Sequence, residues 1–169
     1  MLWLVLRLWK PVTAWLKKMS LGQQILASFL GSLVLILFSL IPFLWLKFTN
    51  WQPPQAWAEY AKDAITLSGT FTAAGTLFGL LAGLAWFNRQ GGFSTEGPIW
   101  KRVLRLVLGA VGILILRVGL DVLFGLIAPD AEAVLPYTLR YIRYCLIGAW
   151  VSAGAPWIFV KLKLAGKAA

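Results

Sequence analysis

The chain contains no histidine among its 169 residues. That removes the commonest general base, the usual haem ligand and a common metal ligand together, so an autonomous hydrolase is not expected. Cysteine is nearly absent as well. Cys145 alone excludes a disulfide within the chain, a cysteine-based zinc site and an iron–sulfur cluster, and it reads as a small buried apolar residue. No cofactor and no metal are implied. Acid is scarce: six Asp and Glu stand against sixteen Lys and Arg, for a net charge of +10. In a soluble protein that excess would raise nucleic acid as a partner. Here the basic residues stand at the ends of apolar runs, which is a membrane-topology signal, and no nucleic-acid partner is expected.

What the chain has in abundance is apolar surface. Sixty per cent of its residues are hydrophobic and only 13% are charged, a balance outside the range of soluble domains. Four stretches meet the length of about 20 apolar residues needed to cross a bilayer: residues 21–46, 64–87, 103–127 and 139–160. The expected fold is therefore an all-α integral membrane bundle over residues 20–169 with four transmembrane helices. "SLGQ" opens the first span, with Ser20 as cap and Gln23 completing a capping box. Pro42 predicts a kink near its far end. Gly97 and Pro98 in "TEGP" are placed to cap and open the third span. Pro136 stands ahead of the fourth span, and Pro156 lies close to its end.

Ahead of the spans, "MLWLVLRLWKPVTAWLKK" lacks a basic leading region and a small-residue cleavage site, so it does not read as a signal peptide. Arg7, Lys10, Lys17 and Lys18 share one helical face, with Leu, Val and Trp over most of the rest. Residues 1–19 thus predict an interfacial amphipathic helix, divided by Pro11 into two pieces. The competing reading makes residues 2–9 the tail of a further span.

Basic flanks set the orientation. Arg7, Lys10, Lys17 and Lys18 precede the first span; Arg89, Lys101, Arg102 and Arg105 surround the loop between the second and third; Lys161, Lys163 and Lys167 follow the fourth. The opposite side carries Lys47, Lys62, Arg140 and Arg143. The positive-inside rule puts both termini of this multi-pass chain in the cytoplasm. Trp3, Trp9, Trp15, Trp86, Trp100 and Trp157 fall near the inner boundary and Trp45, Trp51 and Trp57 near the outer, while Trp150 is deep.

Gly75, Gly79 and Gly83 repeat every fourth residue in the second span and form one small-residue stripe, with Gly148 and Ser152 as a fainter counterpart in the fourth. This stripe reads as helix packing, inside the chain or against a partner.

The chemistry-bearing residues gather in the third and fourth spans. Arg117 sits near the midplane, and Asp121 about 6 Å further out at 1.5 Å per residue. Running the other way, the fourth span brings Arg143 to the depth of Asp121 and Arg140 to the outer boundary. Asp121 is expected to bridge Arg117 and Arg143, since charges at this depth face the protein interior and find partners. The surplus is positive, and Tyr137, Tyr141 and Tyr144 surround it with hydroxyls. Because a guanidinium fork suits phosphate oxygens, Arg117, Asp121, Arg140, Arg143, Tyr137, Tyr141 and Tyr144 form a candidate site for an anionic lipid headgroup. The alternative is a structural ion-pair network pinning the two spans together. Lys101, Arg102 and Arg105 are a lesser candidate for anionic lipid. Glu59 and Asp63 share a face of the first outer loop without a cleft, and "NRQGGFSTEGP" lacks the spacing of a phosphate-binding loop. No catalytic residue emerges.

The run "PVTAWLKKMSLGQQI", the glycine-rich span ending "GLAWFNRQGGFSTEGPIWKRVLRLVLG" and "YTLRYIRYCLIGAWVSAGAP" together resemble the C-terminal membrane region of some bacterial proteins of the type 2 phosphatidic acid phosphatase family. In those proteins the region follows the phosphatase domain, and the resemblance implies a bacterial inner membrane as the location. The family's catalytic signature has a Lys and Arg element, a Pro-Ser-Gly-His element and a final element with the nucleophilic histidine; none is matched here. The resemblance therefore implies a non-catalytic module that packs with a phosphatase domain or binds lipid phosphate. Two other readings stay open: a small structural subunit of a larger membrane complex, and a transporter or channel subunit with Arg117 and Asp121 lining a path.

Overall fold

In the computed structural model, residues 2–64, 66–127 and 134–166 are described. Lys167 and the side chains of Trp9, Lys17, Lys62 and Asp63 lie outside the described set. Among the described residues the regular structure is all helical: α1 (Leu2–Lys18), α2 (Leu21–Phe48), a 3-10 turn at Gln55–Trp57 leading into α3 (Ala58–Ala64), α4 (Ser68–Arg89), α5 (Ile99–Ile127), α6 (Val134–Ala149) and α7 (Ala155–Lys161), with a π-helical turn at Trp150–Gly154. Helix α6, the π turn and α7 run on as one rod, Val134–Lys161. This rod, α2, α4 and α5 are the four helices long and apolar enough to cross a membrane. The chain is a multi-pass membrane protein with a further helix at its N-terminus.

Local chemistry sets the ends of these helices. Ser20 Oγ accepts the Gln23 backbone N–H at 3.3 Å while Gln23 Oε1 accepts that of Ser20 at 2.8 Å, the reciprocal pair the sequence predicts for the start of α2. At α5 the start lies one residue later than expected. The carbonyl of Pro98 accepts the Lys101 and Arg102 amides, so Pro98 holds the capping place and the helix opens at Ile99. Gly97, at φ 129°, makes the turn that precedes it. Pro136 lies within the first turn of α6, where its missing N–H has no intrahelical partner to lose.

Two sequence expectations need correction. The second span does not start at Ala64: that residue ends α3, and α4 begins at Ser68 after a break. Pro11 does not divide the N-terminal helix, since α1 continues through it. A proline forfeits one backbone bond and crowds one carbonyl, and a 17-residue helix absorbs that when its other bonds persist. Pro156 lies close to the end of the fourth span, as expected, and it also reshapes the helix before it. The ring of a helical proline clashes with the carbonyl four residues back, here that of Ser152. The helix widens instead, and the Ala155 amide bonds the Trp150 carbonyl five residues back.

Helix α4 is central, packed on α6 and the π turn along one side and on α2 along another; α5 leans on α6, the π turn and α7. Small residues make the closest contacts. Ala74, Gly75, Gly79 and Gly83 are buried on α4, Gly148 on α6 and Ser32 on α2. Lipid tails are as apolar as any leucine, so burying large side chains drives little association in a bilayer, and close backbone approach takes over.

Candidate functional site

Where α5 crosses α6, the Arg143 guanidinium donates through Nη1 to the Asp121 carboxylate, and this is the single ion pair among the described residues. The two ends differ in setting: 15% of the Arg143 side chain is exposed, against 70% of Asp121. The aromatic ring of Tyr144 lies 5.7 Å from the Arg143 guanidinium carbon, a cation–π contact that holds the charge in place. Arg143 Nε is buried without a hydrogen-bond partner, so the fork engages the carboxylate with one tine instead of two.

The other members of the predicted cluster go elsewhere. Tyr141 turns inward, with its hydroxyl 2.7 Å from that of the fully buried Ser32 and its ring stacked on Phe78. Tyr137 stacks on Phe71 of α4 at 5.2 Å. Arg140 is half-buried and Arg117 exposed, and neither has an ion-pair partner among the described residues. The expectation that Asp121 bridges both Arg117 and Arg143 is thus met only at Arg143. Side chains on a helix lean toward its N-terminus, so Arg117 leans away from a carboxylate one turn further on, and the Arg-then-Asp order is the weaker pairing. The seven residues form an inter-helix staple at Asp121 and Arg143 with Tyr144 beside it, not one convergent pocket.

The glycine stripe faces the chain's own fourth span. A Cβ on Gly75 would collide with the backbone of Tyr141, on Gly79 with that of Cys145, and on Gly83 with the Ser152 hydroxyl. Across the seam, a Cβ on Gly148 would sit 2.7 Å from the Thr76 carbonyl oxygen. The Ser152 hydroxyl bonds the Gly148 carbonyl at 3.0 Å and reaches that of Gly79 at 3.4 Å.

The most elaborate polar construction is at the opposite end of α5, where the sequence shows only a cluster of basic residues. Arg105, 8% exposed, donates to the carbonyls of Lys101 (3.3 Å), Thr95 (3.0 Å) and Glu96 (3.4 Å) and so fixes the α4–α5 loop. Lys101 Nζ donates to the Lys163 carbonyl at 3.0 Å, and the Ser94 amide to that of Gly166 at 2.9 Å, which ties the C-terminal segment to the same loop. Arg89 reaches the Met19 carbonyl, at 3.0 Å, in the link between α1 and α2. A cleft of about 450 Å³ opens there between Pro98, Lys101, Val160 and Lys163. In the sequence these cations read as topology signals, with Lys101, Arg102 and Arg105 a lesser candidate for anionic lipid; nothing in their spacing reveals that the carbonyls they hold belong to distant loops. The Trp150 indole, which donates to the Gly109 carbonyl at 3.2 Å and lies over Gly112, was also missed as a contact. The signal available was the pairing of a deep tryptophan with Gly109 and Gly112 on the neighbouring span.

Residues 71–167, more than half of the chain, match the family described as "PAP2 superfamily phosphatase, transmembrane extension". The chain belongs to that family. No curated protein and no solved structure gives a significant match. The PAP2 transmembrane extension as matched here begins early in α4 and takes in α5, α6, the π turn and α7. It therefore contains the glycine seam, the Asp121–Arg143 staple and the Arg105 clamp. The "PVTAWLKKMSLGQQI" part of the resemblance lies ahead of the matched residues. Among the described residues, no group of three or more Cys, Asp or Glu side chains is placed to hold a metal ion.

Proposed function

We propose that this PAP2 transmembrane extension is a non-catalytic membrane module that packs beside the catalytic helices of a lipid-phosphate phosphatase and steadies them in the bilayer. The observation that carries this reading is the family match over residues 71–167 in a chain without histidine, since the phosphatase signature needs a nucleophilic histidine. A bundle whose tightest contacts are internal, between α4 and α6, keeps its shape while α2 and α5 turn apolar faces outward. In this reading α1 lies in the membrane interface, both termini are cytoplasmic, and the membrane is the bacterial inner membrane. Anionic lipid is the second partner: half-buried Arg140 at the outer end of the fourth span meets headgroup phosphate.

The test is reconstitution. In vesicles containing phosphatidic acid the chain alone releases no phosphate, whereas co-expression with a PAP2-type phosphatase of the same membrane yields a complex visible by native mass spectrometry from mild detergent. Phosphate release by the purified chain, or purification free of any phosphatase under conditions that preserve other membrane complexes, overturns the proposal.

A further inference from the structure

Beside the loop that Arg105 clamps lies a second cleft, of about 320 Å³, between Phe93, Thr95, Arg102, Arg105, Leu106 and Phe159. Its two halves differ in chemistry. Arg102 stands near the start of α5 and Arg105 three residues on, so the pair shares a helix face. Leu106, 73% exposed, lies one turn deeper into the span than Arg102, and the buried Phe159 stands across from it on α7. The Phe93 ring meets that of Phe159 edge-on at 6.4 Å and backs the apolar half.

Neither arginine is fully engaged. Arg105 donates through Nε to the Lys101 carbonyl and through Nη2 to those of Thr95 and Glu96, while Nη1 has no partner among the described residues and is not sealed from its surroundings. Arg102 donates through Nε to the Gly97 carbonyl at 3.1 Å, which leaves both its terminal nitrogens open among the described residues. No Asp or Glu stands among the described lining residues, and Glu96 meets Arg105 through its carbonyl without an ion pair. Two like charges on one face therefore lack a counter-charge, and a phosphate, whose oxygens fit the guanidinium fork, supplies it. The carbonyls fix Arg105, 8% exposed, before any ligand arrives, so less freedom is lost on binding. A free phosphate would use the arginines and leave Leu106 and Phe159 idle; a lipid uses both halves. We infer that this cleft holds one anionic glycerophospholipid, with its phosphate on Arg102 and Arg105 and the start of an acyl chain along Leu106 and Phe159. The site lies at the end of α5 opposite to Asp121, away from Arg140, and goes beyond the proposed role beside a phosphatase.

The test is a lipid titration of the purified full chain, delipidated in mild detergent and followed by native mass spectrometry, with no phosphatase present. Phosphatidylglycerol should give a tight first adduct and phosphatidylcholine should not. Arg102→Ala should weaken that adduct by about tenfold, the loss of one charged hydrogen-bonding group, with the melting temperature unchanged. Lys161→Ala removes the same charge from the same end of the molecule outside this cleft, and should leave the adduct as it is. Excess inorganic phosphate should not displace the lipid. Equal binding of the two lipids, equal losses in Arg102→Ala and Lys161→Ala, undiminished binding in Arg102→Ala, or displacement by inorganic phosphate each overturn the inference, the last by showing that the arginines take a free ion.

Discussion

At the scale of the residue, the Asp121–Arg143 contact decides whether the arginines of α6 act as a staple or as a ligand site. Removing one partner of an interhelical polar pair in a membrane costs about 0.6–1.7 kcal/mol, and the exposure of Asp121 keeps the figure within that range. Arg143→Leu and Asp121→Asn should therefore each lower thermal stability in detergent by that order, and the double variant should lose less than their sum. A double-mutant cycle of melting curves checks it; strict additivity, or loss of bound anionic lipid at unchanged stability, would return Arg143 to a headgroup site. This pair was legible in the sequence because two antiparallel spans fix relative depth, and depth alone brought Asp121 and Arg143 level. The partner of Tyr141 was not. Ser32 lies 109 residues away in an apolar run, and only the rotation of three helices about their axes turns the two hydroxyls toward each other.

At the scale of the element, all four spans were legible from length and apolarity, while their ends and irregularities depended on single backbone groups. The capping box at Ser20 was readable because both partners lie within four residues. The π turn was not, because Pro156 admits a kink, a break or a widening, and the choice falls to what packs alongside. Here Trp150 fills the space over Gly112 and bonds Gly109. The glycine stripe shows the same dependence: its period was evident, its partner was not. Because a Cβ on Gly79 would press on the Cys145 backbone, which cannot swing aside as a side chain can, Gly79→Ala should destabilise by about 1–3 kcal/mol. Gly31→Ala, on α2 with nothing near its added carbon, should be neutral or stabilising by up to about 1 kcal/mol. Chemical denaturation of the two variants in the same detergent tests the contrast, and equal effects would mean that the α4–α6 seam does not hold the bundle.

At the scale of the whole molecule, charge is segregated by face. Eleven of the sixteen basic residues fall ahead of α2, around the α4–α5 loop or from the end of the last span onward; Lys47, Lys62, Arg140 and Arg143 belong to the opposite ends of the spans and Arg117 to a span interior. The basic end is also the folded one, where Arg89, Lys101 and Arg105 hold carbonyls of three separate segments. Orientation and stability are thereby separable, because a cation spent on carbonyls stabilises the cap while an exposed one such as Lys161 is open to the membrane field. Arg105→Gln should loosen the α4–α5 loop, seen as faster proteolysis of that loop, without inverting the protein. In a Cys145→Ser background, Ser94→Cys should react with an impermeant maleimide only in inside-out vesicles and Gln52→Cys only in right-side-out ones. The opposite pattern would reverse the assignment of both termini and move the Asp121–Arg143 staple to the cytoplasmic leaflet. Mixed labelling would mean that the charge difference does not fix a single orientation.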